Sequence, residues 1–279
     1  MKLHTVHSGM FKLDGGAMFG VVPKSIWQNL NPADENNMCS WAMRCLLIED
    51  SNRLILIDNG MGNKQDAKFF GHYYLHGDYS LEKSLSSLGF SKDDITDVFL
   101  THLHFDHCGG SIIFNSQKNI YEPAFKNATY WSHSKHWQWA VKPNAREKAS
   151  FLKENILPIE ESGQLQFFDS GSTLPSYFNA EIVSGHTESM MLPLIQYNNH
   201  KILFVADLFP SAAHIPLPYV MAYDTRPLLT LNEKQQILQK AMEQNIILFF
   251  EHDPKIECCS LKQTDKGVRL DEIITLDSI

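Results

Sequence analysis

The chain has 279 residues, with 24 Lys and Arg against 32 Asp and Glu for a net charge of −8, and 43% of its residues are hydrophobic. A chain of this size can bury a large core, and one domain spanning 1–279 is expected. The acidic balance opposes phosphate backbones and anionic membranes, so neither nucleic acid nor a membrane is an expected partner.

At the N-terminus, Met1–His7 carries one lysine and no apolar run of the kind a secretory leader needs. Nowhere does the chain approach the roughly 18 consecutive apolar residues of a membrane-spanning helix. The five cysteines (Cys39, Cys45, Cys108, Cys258 and Cys259) are odd in number and form no C-x-x-C pair. That usage favours a reduced, cytoplasmic protein over a disulfide framework.

Leu81, Leu85 and Leu88 recur at helical spacing, and Gly89 offers the helix a stop. The apolar run Val98-Phe99-Leu100 then leads into Thr101-His102-Leu103-His104-Phe105-Asp106-His107-Cys108-Gly109-Gly110. Alternate residues of an extended segment point the same way, so His102 and His104 can converge on one ion. Asp106 and His107 fall past the strand end, where a turn can aim them at a second. Imidazole and carboxylate donors suit zinc, and also iron or manganese, without a thiolate. Cys108 is therefore expected as a packed small residue before the Gly109-Gly110 turn, although a thiolate ligand is the alternative there.

Between Ser111 and Pro175 lies an aromatic-rich segment that includes Tyr130, Trp131, Trp137, Trp139 and Phe151. It is expected to form core or the contact of a homodimer before it forms a substrate pocket. His133 and His136, at i and i+3, are expected in hydrogen-bonded or surface roles. His72, His76 and His214 share that default, with His214 placed close after Asp207.

Three further apolar runs stop where a ligand-type residue begins. Ala180–Gly185 leads to His186, Ile202–Ala206 delivers Asp207, and Ile246–Phe250 ends in Glu251-His252-Asp253. Before the last of these, Thr230 and Glu233 form a capping-box pattern, followed by an apolar face of Ile237, Leu238, Ala241 and Met242. Ligands gathered at the ends of several strands are how a rigid sheet positions a site.

Taken together, Leu56-Ile57-Asp58-Asn59-Gly60, the H-x-H-x-D-H run, Gly185-His186-Thr187, Asp207 and His252 resemble, in order, the motifs of metallo-β-lactamase-fold hydrolases. The pattern by itself supports a mixed α/β domain; the resemblance implies the four-layer αββα sandwich. It also implies two divalent ions, zinc first, with His102, His104 and His186 on one, Asp106, His107 and His252 on the other, and Asp207 bridging. Asp58 would support a ligand histidine from behind, with Asn59 where the family commonly has threonine.

The activity implied is hydrolysis by a metal-bridging hydroxide, with Asp106 also moving a proton to the leaving group. Leu13–Gly20, with Pro23 and Trp27 after it, looks like the opening strand of the lactonase and organophosphate-hydrolase branch. Phe19 and Trp27 are accordingly candidates for an apolar substrate pocket. The expected substrate is a small lactone or carboxylic ester, with a phosphotriester, other phosphoester or thioester as the alternative. Pro210 stands where many acyl-homoserine lactonases carry a tyrosine, a departure from that subgroup. A non-catalytic metal-binding protein would show broken ligand sets, and all seven ligand positions here are filled.

Overall fold

The structure, a computed structural model, describes residues 1–279. Its strands form two six-stranded sheets and one hairpin. The first sheet contains β1 (Lys2–Asp14), β2 (Met38–Asp50), β3 (Arg53–Ile57), β4 (Asp97–Phe99), β7 (Thr129–Ser132) and β8 (Leu165–Phe167), in the order β1-β2-β3-β4-β7-β8. Strands β5 (Ile112–Asn115) and β6 (Ile120–Pro123) make the hairpin. The second sheet, in the order β14-β13-β12-β11-β10-β9, comprises β9 (Phe178–Val183), β10 (Met190–Tyr197), β11 (His200–Phe204), β12 (Ile246–Phe249), β13 (Cys258–Thr264) and β14 (Gly267–Ile274).

Eight helices accompany the strands: α1 (Gly15–Phe19), α2 (Lys24–Trp27), α3 (Ala67–Tyr73), α4 (Leu81–Ser87), α5 (Phe105–Cys108), α6 (Ser134–Val141), α7 (Lys153–Glu161) and α8 (Pro227–Gln244). Two compact units divide the chain. Met1–Gly9 and Met43–Leu174 make the first, and Met10–Ala42 and Pro175–Ile279 the second. No helix is long and apolar enough to cross a membrane.

In the first unit the core is built from the inward residues of the sheet, among them Leu47, Leu56 and Val98, together with Phe125, Tyr130 and Trp137. The aromatic-rich segment thus supplies core, as its composition suggested. Helix α4 starts where Ser80 accepts the amide of Lys83, buries Leu81 and Leu85, and is followed by Gly89 in the left-handed region. That matches the spacing of the leucines.

Helix α8 of the second unit buries Ile237, Leu238 and Ala241 and packs on β12 and β13. Its start differs from the expected capping box. Arg226 is the N-cap and Pro227 the first helical residue, so Thr230 and Glu233 lie inside the helix. Glu233 is drawn instead to the amides of Ser184 and Gly185, 2.7 and 2.9 Å away. These long-range N–H donors outcompeted the local one.

A second difference concerns Leu13–Gly20. Strand β1 ends at Asp14, whose side chain accepts the amide of Ala17 and starts the single turn α1. Residues 15–19 are therefore helical rather than strand, because a capping aspartate followed by two glycines turns the chain there.

Two parallel strand pairs carry the residues of interest. In the first unit β3 and β4 align Ile57 with Phe99, so Asp58 and the segment after Phe99 emerge side by side. In the second, β11 and β12 align Phe204 with Phe249, with Asp207 and His252 beyond their ends. Carboxyl ends of parallel strands are where open α/β sheets expose their functional groups.

Candidate metal centre

The first unit holds five of the singled-out residues together. Asp58, with φ at +54°, sits in a backbone region that non-glycine residues avoid. Its carboxylate accepts the amide of Thr101 at 2.8 Å and the Thr101 hydroxyl at 2.6 Å. It lies 3.1 Å from Nδ1 of His107, which therefore carries the proton and leaves Nε2 as a lone pair. Because the Thr101 hydroxyl hydrogen goes to Asp58, its oxygen accepts from Nδ1 of His102 at 3.1 Å. Nε2 of His102 is thereby left as a lone pair, facing Nδ1 of His104 at 3.1 Å.

His104 turns its other nitrogen, Nε2, toward Glu147 Oε1 at 3.6 Å. The second oxygen of that buried carboxylate accepts Trp139 Nε1 at 2.8 Å and an Asn144 amide. Asp106 Oδ2 lies 3.7 Å from Nε2 of His107. His104 ends the extended stretch as the N-cap of α5, and α5 carries Asp106 and His107. One short helix thus replaces the simple turn expected after the strand. His136, from α6, is buried and accepts the amide of Leu103 at 2.8 Å, bracing the segment between His102 and His104. Gly109 and Gly110 lie against backbone: a Cβ on Gly110 would collide with the carbonyl oxygen of Asn59, and one on Gly109 with that of Met61. Cys108 is fully buried, its thiol donates to Leu103 O, and burial pushes it up to about 12. It behaves as the packed small residue expected from the sequence.

The second unit holds the other three ligand candidates. His186 Nδ1 donates to Oδ1 of Asp224 at 2.8 Å, and its Nε2 faces Oδ2 of Asp207 at 3.1 Å. His252 Nδ1 donates to the carbonyl of Ala42 at 2.7 Å, and its Nε2 faces the other oxygen of Asp207, Oδ1, at 3.1 Å. Ala206, just before Asp207, has φ of +39°, a strained conformation held by the fold. Two ring lone pairs opposite two carboxylate oxygens repel unless a cation lies between each pair. At His186 a proton takes that place in the metal-free chain: burial opposes charging of the ring, but Asp207 and Asp224 prevail and raise it to about 10. The donor set therefore fits divalent cations.

Phe19 and Trp27 are buried in the second unit, stacked at 5.4 Å, with Phe19 also stacked on His214 at 4.7 Å. His214 is locked as a neutral ring: Nε2 donates to Met18 O and Nδ1 accepts from Ser211. Burial holds it down to about 3. His133 caps α6 by accepting the amide of Lys135. Asp224 and Glu147 escaped the sequence reading, and Glu233 entered it only as half of a capping box. They sit far along the chain from the histidines or amides they serve, in no repeating pattern, and only an acid opposite a ligand segment would have flagged them.

Histidines anchored at one nitrogen, with the other presented to a second ligand-type group, are the arrangement in which proteins commonly hold divalent metal ions. The chain belongs to the Metallo-beta-lactamase superfamily, whose pattern matches residues 44–244. It is thus an enzyme of that metal-dependent hydrolase class with the metallo-β-lactamase fold. An N-acyl homoserine lactonase of Bacillus cereus is 22% identical over 265 residues, covering 90% of this chain and 93% of that protein. A probable metal-dependent hydrolase from Staphylococcus aureus superposes with a TM-score of 0.88 at 27% identity, covering 98% of this chain and 96% of the other. AidC, a dizinc quorum-quenching lactonase solved with a homoserine product, superposes at 0.77 with 24% identity over 98% and 95% of the two chains, a likeness of fold.

Proposed function

We propose that the two units act as one catalytic domain, a dinuclear hydrolase of lactones or carboxylic esters. His102, His104 and His186 would hold one divalent ion, Asp106, His107 and His252 the other, with Asp207 shared. The observation that carries this reading is Asp207. Each of its oxygens faces a different imidazole nitrogen whose ring proton is committed elsewhere, so the carboxylate is set to serve two cations at once.

Bound divalent ions, zinc first, would supply a hydroxide nucleophile at neutral pH and polarise the carbonyl under attack. The chain's own residues do the rest. Asp58 and Ala42 O hold the imidazoles of His107 and His252 in one tautomer, and Asp106 passes the proton given up by the attacking hydroxide to the departing alkoxide. The lactone preference is supported by the lactonase relative aligned along nearly the whole chain. Phe19 and Trp27, being buried, would shape an apolar pocket from behind its wall.

Zinc-loaded protein should be assayed on acyl-homoserine lactones of graded chain length, an aryl ester, a phosphotriester, a phosphodiester and a thioester. The expected result is highest kcat/KM on the lactone or ester, rising by up to about tenfold per methylene until the pocket is full. Preference for a phosphoester, or no chain-length trend, overturns the substrate class and leaves a dimetal hydrolase.

A further inference from the structure

The segment that precedes α8 is laced to the turn that carries His186. Thr225 N donates to His186 O at 3.0 Å and Arg226 N to Gly185 O at 2.8 Å. The Arg226 guanidinium adds bonds to Ser184 O at 2.6 Å and to Glu188 at 2.8 Å. From inside α8, Glu233 accepts the amides of Ser184 and Gly185. Gly185 lies so close to the helix that an added Cβ would come within 2.6 Å of Thr230 Cα. These bonds fix where residue 224 stands relative to the ring of His186, whatever side chain it bears.

Into that frame the chain places a carboxylate, 2% exposed, with Oδ1 at 2.8 Å from Nδ1 of His186. Burying a carboxylate is costly unless a strong donor meets it. An imidazole that carries a metal ion on its far nitrogen is a much stronger donor than a neutral one. We propose that Asp224 is a positioning residue of the metal centre: by accepting the Nδ1 proton it fixes the tautomer of His186 and aims Nε2 at the ion shared with Asp207. The role rests on the dinuclear reading above and extends it to a residue outside the ligand set. It also makes α8 part of the centre, since the helix holds both the ligand turn and the carboxylate behind it.

The test uses the full chain, zinc as the probe and a chromophoric chelator as competitor. Asp224→Asn and Asp224→Ala should each weaken one of two zinc ions by about 10- to 100-fold, with the other ion held as in the unaltered chain. Because none of the bonds in that frame uses the side chain of residue 224, both variants should melt cooperatively in the metal-free state.

A packing role would not move the ring tautomer, so long-range 1H–15N spectra of the histidines supply the second readout. His186 is identified there by its loss in His186→Gln. The zinc-loaded unaltered chain should show an Nδ1–H ring at His186, and Asp224→Ala should shift or broaden that signal. Unchanged affinity for both ions in both variants, or an Nε2–H ring in the unaltered chain, overturns the proposal. Should neither variant fold, the tautomer in the unaltered chain decides alone. Fewer than two ions in the unaltered chain removes the dinuclear reading and this role with it. Two ions with indifferent variants removes only the role of Asp224.

Discussion

His252 presents its Nε2 to Oδ1 of Asp207 at 3.1 Å. That ring's proton is already committed to Ala42 O, and His186 stands in the same relation to the opposite oxygen of Asp207. Removing the carboxylate therefore disturbs both partners at once. Asp207→Ala should lower zinc content from two ions per chain to one or none, while His186→Ala empties chiefly one position. Elemental analysis after gel filtration checks both, and two retained ions in Asp207→Ala would contradict a shared ligand.

Asp58 orders the loop that carries the first unit's candidate ligands, since one carboxylate holds Thr101, and through it His102, as well as His107. Asp58→Asn keeps the shape but sets an amide N–H against one of these donors. The expected cost is about 1–3 kcal/mol of stability for a buried group left unpaired, and a 10- to 100-fold loss of zinc affinity. Urea unfolding of the metal-free form and chelator competition on the loaded form separate the two effects.

Gly185 allows the His186 turn to touch α8. Gly185→Ala would drive its Cβ into backbone and side-chain atoms of Thr230, and helix backbone cannot yield as a flexible side chain would. A destabilisation of about 1–3 kcal/mol, the usual range for overpacking, is expected. A melting temperature equal to that of the unaltered chain would show that the helix and the turn are less tightly joined.

His214 sets an acid limit. Its folded value, about 3, lies below the ordinary 6.5 because the ring is buried, so the unfolded chain binds the extra proton between those values. The neutral ring's contribution is fully present above pH 6.5 and is lost as pH falls toward 3, at up to about 1.4 kcal/mol per pH unit. Burial also lowers His7, to about 4, so the loss belongs to both rings. The difference between the unaltered chain and His214→Gln isolates one of them. Urea midpoints from pH 7 to 5 should fall more steeply in the unaltered chain, and parallel curves would contradict the assignment.

The sequence by itself determined the α/β class, the strand ends that carry His102, His186, Asp207 and His252, and the family. The reason is local. An apolar run of strand length followed directly by ligand-type residues is legible without knowing where any strand lies, and His102 and His104 are only two residues apart. What only the tertiary structure decided is which groups meet the nitrogens of each ring. That depends on acceptors distant in the chain: Asp224 lies 38 residues from His186, and Ala42 is 210 residues from His252. The same long-range competition took Glu233 from its expected cap to the amides of Ser184 and Gly185. It also buried Phe19 between Trp27 and His214, a fate that an aromatic side chain's own identity cannot foretell. Side-chain type and spacing are written along the chain, whereas a hydrogen-bond partner is chosen by whichever group the folded backbone brings within reach.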